Sequence, residues 1–243
     1  MNRIQLGLAT SVLLLASQSA FAVPITATAL LDSGINYNTT GIAGFATTGA
    51  MMSGMTIEVF FDDGSSDTGV WASTGSSSGG ASGTGWSMSQ SGTTFSNSFR
   101  LSNTSASMLS ITRLVLDGRP GDTVFDYTRS IVQTPGSADG GNITDASGSP
   151  DVDGPAYLSV DGTYRNQVAL NGTFFGDLYT VLDLTFGDVT GAPSGLKAGD
   201  RVSFTSDTDN TAIQGDITPA PAPSVLALLG LGLLGMTFAR RKA

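Results

Sequence analysis

Apolar and polar residues alternate along many short runs of this chain, which is the pattern of β-strands that bury one side. Runs such as Met55–Phe61 are rich in β-branched and aromatic residues and end in turn sequences, here Asp62-Asp63-Gly64. The pattern predicts strands at Ile25–Leu31, Met55–Phe61, Val70–Ala72, Trp86–Met88, Thr94–Leu101, Met108–Leu116, Ala156–Val160, Gln167–Leu170, Leu178–Phe186 and Val202–Thr205.

Some segments between these runs lack the alternation. The Gly/Ser-rich stretch Ser73–Gly85 is predicted to be a flexible loop, and Ser137–Gly154, which has few apolar residues, is predicted to be the longest exposed loop. Val124–Tyr127 either extends the sheet or forms a short turn. Turn signals recur about every 8–12 residues and no ordinary helix is predicted between the chain ends. We therefore predict that residues 23–218 form an all-β domain, an antiparallel β-sandwich that is jelly-roll-like.

The end of the chain has a different pattern. Prolines at alternate positions from 219 to 223 keep that segment extended, Ser224 is placed to cap a helix, and Val225–Ala239 is almost wholly apolar. Such a helix is about 22 Å long, shorter than the roughly 30 Å hydrocarbon core of a membrane, but basic residues after it can snorkel to the interface. The pattern predicts a transmembrane helix, with a buried C-terminal helix as the alternative. Its cytoplasmic membrane stop is Arg240, Arg241 and Lys242.

Three features follow one another in this segment: the motif Pro221-Ala222-Pro223-Ser224, an apolar helix rich in Leu, Gly and Ala, and a terminal basic cluster. This order resembles the PEP-CTERM sorting signal of Gram-negative bacteria. The family's motif is usually Pro-Glu-Pro, and Ala222 stands here in place of the Glu. The resemblance covers residues 219–243 only. It implies that this segment is a removable sorting and anchoring signal, processed by an exosortase-type membrane protease.

The start of the chain carries a second end signal. Arg3 supplies a positive charge, Ile4–Ala16 is an apolar run, and Ala20 and Ala22 give the small-x-small form of a cleavage site. This arrangement predicts a secretory signal peptide over residues 1–22, with Val23 as the mature N-terminus; the alternative is an uncleaved membrane anchor. Together the two end signals predict export through the inner membrane to the cell envelope, the cell surface or the extracellular matrix.

Charge and composition limit the possible functions. The chain has 20 acidic and 11 basic residues, for a net charge of −9, and every acidic residue lies between the two end signals. Nucleic acid and anionic membrane surfaces are therefore disfavoured as partners. The chain has no Cys and no His. This excludes disulfides, Cys-His and Ser-His-Asp catalysis and the usual zinc sites.

Aspartates supply the candidate chemistry. Asp151-Val152-Asp153-Gly154 has the alternating carboxylates and Gly that begin many calcium loops, although the Glu that completes an EF-hand is missing, so Asp151 and Asp153 are candidate Ca²⁺ ligands. Asp62-Asp63 and Asp207-Thr208-Asp209-Asn210 are similar partial clusters. The alternative that we favour for each cluster is a set of solvated turn carboxylates that cap backbone amides, with no cofactor bound.

Carbohydrate chemistry is a further possibility. Glycoside hydrolysis needs an acid and a second carboxylate at a set separation, but the sequence does not select one pair among so many Asp residues. Aromatic side chains can stack on sugars, although they more often belong to the core. The aromatic residues in question are Trp71, Trp86, Tyr157, Tyr164 and Tyr179.

The middle of the chain also resembles known proteins, more loosely. Segments such as Phe99-Arg100-Leu101-Ser102-Asn103 and Leu182-Asp183-Leu184-Thr185-Phe186 look like the β-sandwich ectodomains common on proteins with PEP-CTERM tails. We predict a non-enzymatic, exported structural or matrix-associated protein that, as the family association implies, is linked to exopolysaccharide or biofilm. The alternatives are a calcium-dependent carbohydrate-binding module and an Asp-based glycoside hydrolase.

The two end signals predict the mass of the mature protein. Intact mass spectrometry of the protein from its native host is expected to show a chain that begins at Val23 and has lost everything after about Pro223, because both ends are removed during export and sorting. A mass that includes all residues through Ala243 would refute processing of the C-terminal signal.

Overall fold

The computed structural model describes residues 23–44, 46–127, 134–137, 140–144, 152–190, 195–211 and 214–220. Short 3₁₀ helices occur at Gly49–Met52 and Arg119–Gly121. The strands in these ranges are β1 (Val23–Pro24), β2 (Thr26–Asp32), β3 (Tyr37–Thr39), β4 (Ile42–Gly44), β5 (Thr56–Phe61), β6 (Ser66–Val70), β7 (Ala72–Ser73), β8 (Ser78–Gly83), β9 (Trp86–Ser91), β10 (Phe99–Asn103), β11 (Ile111–Asp117), β12 (Thr123–Asp126), β13 (Val152–Gly154), β14 (Leu158–Leu170), β15 (Thr173–Asp188), β16 (Arg201–Phe204), β17 (Asp207–Thr211) and β18 (Thr218–Pro219).

The strands form two sheets. The first sheet has the order β1-β13-β16-β10-β9-β8-β7, and the second has the path β18-β3-β14-β15-β11-β5-β6, with β2, β4, β12 and β17 attached to it. Almost all neighbouring strands are antiparallel, but β2 and β3 pair in parallel with β14. The all-β prediction is therefore confirmed, and two antiparallel sheets are consistent with the predicted β-sandwich.

The second sheet is built around the hairpin of β14 and β15. Its turn is Asn171-Gly172, both with positive φ (49° and 80°), and Leu170 pairs with Thr173 across it. Two positive-φ residues between paired strands are the mark of a type I′ turn, which Asn-Gly favours because its twist matches that of the strands. The turn therefore sets the pairing next to it, and a register shift between Gln167 and Ala169 separates these pairs from the longer run that reaches Leu158 and Asp188.

A hydrophobic core lies where buried faces of the two sheets meet. In β5, buried residues alternate with half-buried ones, as expected for a strand that turns one side to the core. Phe99 of β10 stacks on Phe204 of β16 with ring centroids 5.4 Å apart, and Trp71 meets Phe99 edge-on at 5.9 Å. A second, smaller cluster of buried residues comprises Tyr37, Val124, Val168 and Leu178.

The strand predictions hold where apolar alternation is strong. Each predicted strand overlaps an observed one, and Val124–Tyr127 extends the sheet through β12. The predicted start at Thr94 is wrong, because Thr94 lies in a turn before β10, where its hydroxyl donates to the carbonyl oxygens of Thr47 and Thr208. The predicted start at Met108 is also wrong, because the φ of 60° at Met108 is outside the range of extended backbone.

The prediction of a flexible loop over Ser73–Gly85 is wrong. This stretch contains β8, which pairs with both β7 and β9. Glycine is required for packing here, since a Cβ on Gly79 would lie 2.1 Å from Gly49 O and 2.2 Å from Trp71 Nε1. The absence of side chains thus permits close approach of the backbones, which propensity alone does not reveal.

The prediction of a long exposed loop over Ser137–Gly154 is also wrong in its described parts. Ser137, Asn142 and Ile143 are buried, and Val152–Gly154 forms β13. The covering segment, residues 134–137 and 140–144, lies over β12 and β17, where Gly141 N donates to Asp126 O and Asp207 N donates to Gly141 O. Burial of Thr134 and Ser137 is tolerated because their hydroxyls donate to Asp177 and Asp126.

The described residues include no helix long and apolar enough to cross a membrane. The predicted transmembrane helix, Val225–Ala239, and the predicted signal peptide, residues 1–22, lie outside the described ranges. At the boundary between the predicted domain and its tail, Thr218 and Pro219 form β18, which pairs with β3.

The glycine packing in the first sheet can be tested with one methyl group. Gly79→Ala is expected to destabilise the protein by about 1–3 kcal/mol, because the new Cβ disrupts the 2.7 Å hydrogen bond from Trp71 Nε1 to Gly49 O. Gly141→Ala is the matched control, since nothing lies within 4 Å of its Cβ position. Thermal unfolding of both variants measures the difference, and equal stabilities would contradict the close packing of β8.

Candidate functional site

Most residues of the predicted end signals lie outside the described ranges. This applies to the cleavage residues Ala20 and Ala22, to the sorting motif Pro221-Ala222-Pro223-Ser224 and to the membrane stop of Arg240, Arg241 and Lys242. Val23, the predicted mature N-terminus, is the first residue of β1 and pairs with Gly154.

The candidate calcium loop at Asp151 and Asp153 is described only in part. Asp151 lies outside the described ranges, and Asp153 lies in β13, between β1 and β16. The Oδ1 atom of Asp153 is buried without a hydrogen-bond partner, and burial raises the pKa of this carboxyl. Calcium binding at Asp151 and Asp153 therefore stays a prediction.

The other carboxylate clusters differ from each other. Asp62 and Asp63 are exposed in a turn, where Asp63 accepts hydrogen bonds from Ser65, as predicted. The prediction of solvated turn carboxylates at Asp207 and Asp209 is wrong, because both are buried in β17.

The candidate sugar-stacking aromatics belong to the core. Trp71, Trp86, Tyr164 and Tyr179 are buried, and Tyr157 packs against the core while its hydroxyl donates to Asp200 Oδ2 at 2.6 Å. Their rings are therefore committed to internal packing and do not form a platform for a sugar.

The outward side of the first sheet carries an ordered array of hydroxyl groups. Along β9 the buried residues Trp86, Met88 and Gln90 alternate with serines that point outward, and serines of β8, β10 and β16 stand beside them. We call this surface the serine face; its residues are Ser78, Ser82, Ser87, Ser89, Ser91, Ser102, Ser203, Arg100 and Arg201.

Two guanidinium groups stand within the serine face. Arg100 lies opposite Ser89 and Ser203, and Arg201 lies opposite Ser102, so the two arginines are diagonal neighbours across β10 and β16. Diagonal neighbours in a sheet are about 7–8 Å apart. Among the described residues neither arginine has an ion-pair partner.

The other described cations are engaged elsewhere. Arg113 and Arg165 bind Asp183 at 2.7 and 2.8 Å, Arg119 pairs with Asp117, and Lys197 lies 4.0 Å from the ring centroid of Tyr157. Arg100 and Arg201 are thus exposed positive groups available to a ligand on a strongly acidic protein.

A groove of about 470 Å³ runs along one side of the serine face. Ser78, Ser91 and Arg100 line it together with Asn97 and Gln90. The Ser78 and Ser91 hydroxyls are 2.7 Å apart and hydrogen-bonded to each other. The groove therefore offers hydroxyl, amide and guanidinium groups with no aromatic side chain.

A second feature is a set of buried carboxyl groups, the aspartate cluster, formed by Asp126, Asp177, Asp207 and Asp209. Each is at most 2% exposed. Asp207 and Asp209 are alternate residues of β17 and share one side of the strand, and Asp126 of β12 lies directly opposite Asp207. Ser137 and Thr134 of the covering segment reach two of these carboxyl groups through their hydroxyls.

Hydrogen bonding divides the aspartate cluster into two pairs. Ser137 Oγ donates to Asp126 Oδ2, and Thr134 donates to Asp177 through both its backbone N and its hydroxyl. Asp207 Oδ1 accepts from Thr94 Oγ1 and Thr208 N, whereas Asp207 Oδ2 and both carboxylate oxygens of Asp209 have no partner.

The carboxyl groups of Asp207 and Asp209 strongly prefer the neutral, protonated form. Burial, and then the charges of Asp209 and Asp126, raise the pKa of Asp207 to about 8. Burial raises the pKa of Asp209 to about 7; the nearby Ser137 hydroxyl opposes this rise, and the charges of Asp126 and Asp177 add to it. At neutral pH the pair therefore holds a proton or requires a cation.

Comparisons with known proteins assign no function to the serine face or the aspartate cluster. No family model matches the chain, and no curated protein or solved structure shows significant similarity to it. Within the described ranges, no three metal-binding side chains stand close enough together to form a preformed metal centre.

The sequence contains a local signal for the serine face that the strand predictions did not identify as a candidate site. The alternation Trp86-Ser87-Met88-Ser89 indicates a strand with serines on its outward side. No local signal marks the burial of Asp207 and Asp209, because the covering segment comes from a distant part of the chain.

The raised pKa values predict how stability depends on pH. Both pKa values lie above 3.8, the ordinary Asp value. At any pH between the ordinary value and the raised values, the folded protein therefore binds more protons than the unfolded chain. In EDTA, the free energy of unfolding is expected to fall by a few kcal/mol as pH rises from about 5 to about 8. Thermal unfolding at several pH values measures this, and Asp209→Asn is expected to flatten the dependence. A stability that rises over this window would contradict the assignment.

Proposed function

We propose that this protein is an exported, envelope-sorted protein without enzymatic function that binds the polysaccharide of an extracellular matrix through its serine face. The two end signals support export, a jelly-roll-like β-sandwich is the proposed carrier, and an exosortase-type protease is the proposed processing partner. The inner membrane holds the C-terminal helix until processing.

The serine face is the observation that carries this proposal. Side chains on one side of an antiparallel sheet form regular rows, so an extended ligand can meet many of them at once. Serine hydroxyls both donate and accept hydrogen bonds, as sugar hydroxyls do. Rows of such groups on adjacent strands suit a linear polymer of sugars better than a small compact ligand.

The two free arginines indicate the class of polysaccharide. A guanidinium group binds a carboxylate through two parallel hydrogen bonds. Arg100 and Arg201 form no ion pair with a described carboxylate, although Asp153 lies diagonal to Arg201 on the same side of the sheet. The rest of the protein is strongly acidic and repels anions at long range. An acidic polysaccharide, in which carboxylates are separated by neutral hydroxyl-rich stretches, fits this pattern.

Glycoside hydrolysis has less support than binding. The described carboxylates that face one another, Asp126, Asp207 and Asp209, are covered, whereas hydrolysis needs two carboxyl groups beside an open substrate site. The groove on the serine face has no carboxylate among its described lining residues.

Binding of the purified protein to a uronate polymer tests the proposal. Hyaluronan, in which a uronate alternates with a neutral sugar, is expected to bind the wild type at about 0.15 M salt, where long-range repulsion is screened. Arg100→Ala is expected to lower the affinity about tenfold, because one charge-assisted contact is lost. Biolayer interferometry with immobilised polymer measures this.

Lys197→Ala is the matched control, because it removes the same charge outside the serine face. It is expected to leave the affinity within about twofold of wild type. Equal losses of affinity in the two variants, or binding of neutral dextran by the wild type as tightly as the uronate polymer, would contradict the proposal.

A further inference from the structure

Asp207 and Asp209 form a second candidate site, separate from the serine face. They are alternate residues of β17, exposed by 1% and 0%, with their carboxylates on the same side of the strand. The strand continues the second sheet through β12, whereas the serine face belongs to the first sheet. A ligand at this pair therefore does not compete with one on the serine face.

The unfilled acceptor capacity of the pair is the main observation. Asp207 Oδ2 and both oxygens of Asp209 are buried without a hydrogen-bond partner. An uncompensated buried carboxylate costs several kcal/mol or more, and proteins relieve that cost with a proton, a cationic side chain or a metal ion. Three buried oxygens without donors, on two carboxyl groups that share one side of β17, thus call for a positive partner.

The described cations do not supply that partner. The ion pairs of the described residues join Arg113 and Arg165 to Asp183, and Arg119 to Asp117. Of the hydroxyl donors of the region, Ser137 and Thr134 donate to Asp126 and Asp177, and Thr94 donates to Asp207 Oδ1, the one oxygen of the pair that has partners. The pair is therefore left with an excess of negative charge that its described surroundings do not balance.

The chemistry of the donors selects the kind of cation. The site offers only oxygen atoms, and the chain has no His or Cys to attract zinc or copper. Calcium accepts six to eight oxygen ligands in irregular geometry, including backbone carbonyls and water, whereas magnesium demands a near-ideal octahedron. A pair of carboxylates on one strand under a covering segment suits calcium better.

We propose that Asp207 and Asp209 together bind a calcium ion, with backbone carbonyl oxygens and water completing its coordination. The pair supplies two ligand side chains, in keeping with the lack of a preformed three-residue centre in the described ranges. So few charged ligands place the dissociation constant at about 10⁻⁴–10⁻³ M, the range of extracellular modules. The ion binds beneath the covering segment and stabilises the exported protein.

Thermal unfolding of the full chain at pH 8 tests this site. Relative to EDTA, 10 mM Ca²⁺ is expected to raise the Tm of the wild type by about 3–10 °C, and Mg²⁺ to raise it less. Asp209→Asn is expected to raise the Tm in EDTA, because an uncompensated charge is removed, and to abolish the response to Ca²⁺.

Two control variants locate the ion. Asp62→Asn removes an exposed carboxylate and is expected to keep the full Ca²⁺ response. Asp153→Asn tests the separate candidate in β13 and is also expected to keep it. Loss of the response in Asp153→Asn with retention in Asp209→Asn would overturn the proposal.

Direct binding covers the case in which the Asp209 variant does not fold. Terbium, which replaces Ca²⁺ in oxygen sites, is expected to show luminescence sensitised by nearby tyrosines in the wild type and to be displaced by Ca²⁺. No terbium signal together with an unchanged Tm in 10 mM Ca²⁺ would show that the pair holds a proton and no metal ion.

Discussion

The β14–β15 hairpin is the constraint on which the second sheet depends. Its Asn171-Gly172 turn pairs Leu170 with Thr173, and the register shifts between Gln167 and Ala169. Beyond this shift, β15 pairs with β14 on one side and with β11 and β12 on the other. β12 also pairs with β17, and this second pairing places Asp207 opposite Asp126. A shift of one residue would turn every side chain of β15 to the other side of the sheet. The pairing of β15 with β12 therefore holds one of the two strands that carry the aspartate cluster.

The two sheets divide the functional chemistry of the protein between them. The first sheet places its polar groups outward, where Arg100 and the serines beside it are open to a ligand in solution. The second sheet buries Asp207 and Asp209, where low polarity strengthens their repulsion and raises their demand for a proton or a cation. The serine face is thus suited to binding a ligand at the surface, whereas the buried pair Asp207 and Asp209 affects the stability of the folded protein.

The accuracy of sequence prediction followed the strength of the local pattern. Met55–Phe61 and Leu178–Phe186 were predicted well because their apolar side chains alternate or cluster as in a buried strand. β8 was missed because Gly79 and its neighbours favour a loop by propensity, while contact with Gly49 and Trp71 decides their conformation. The alternation in β9 indicates the outward serines of the serine face. The sequence does not indicate that Arg100 and Arg201 lack ion-pair partners, because pairing depends on contacts between distant strands.

The sequence by itself determined the all-β class, the acidic character of the chain, and the lack of thiol and imidazole chemistry, because these follow from composition and local periodicity. The end signals are likewise properties of local sequence, and they stand as predictions. Only the tertiary structure decided that Asp207 and Asp209 are buried while Asp62 and Asp63 are exposed. The physical reason is that burial depends on what covers a residue, and here residues 134–137 and 140–144, roughly sixty to seventy-five positions away in the chain, supply part of that cover.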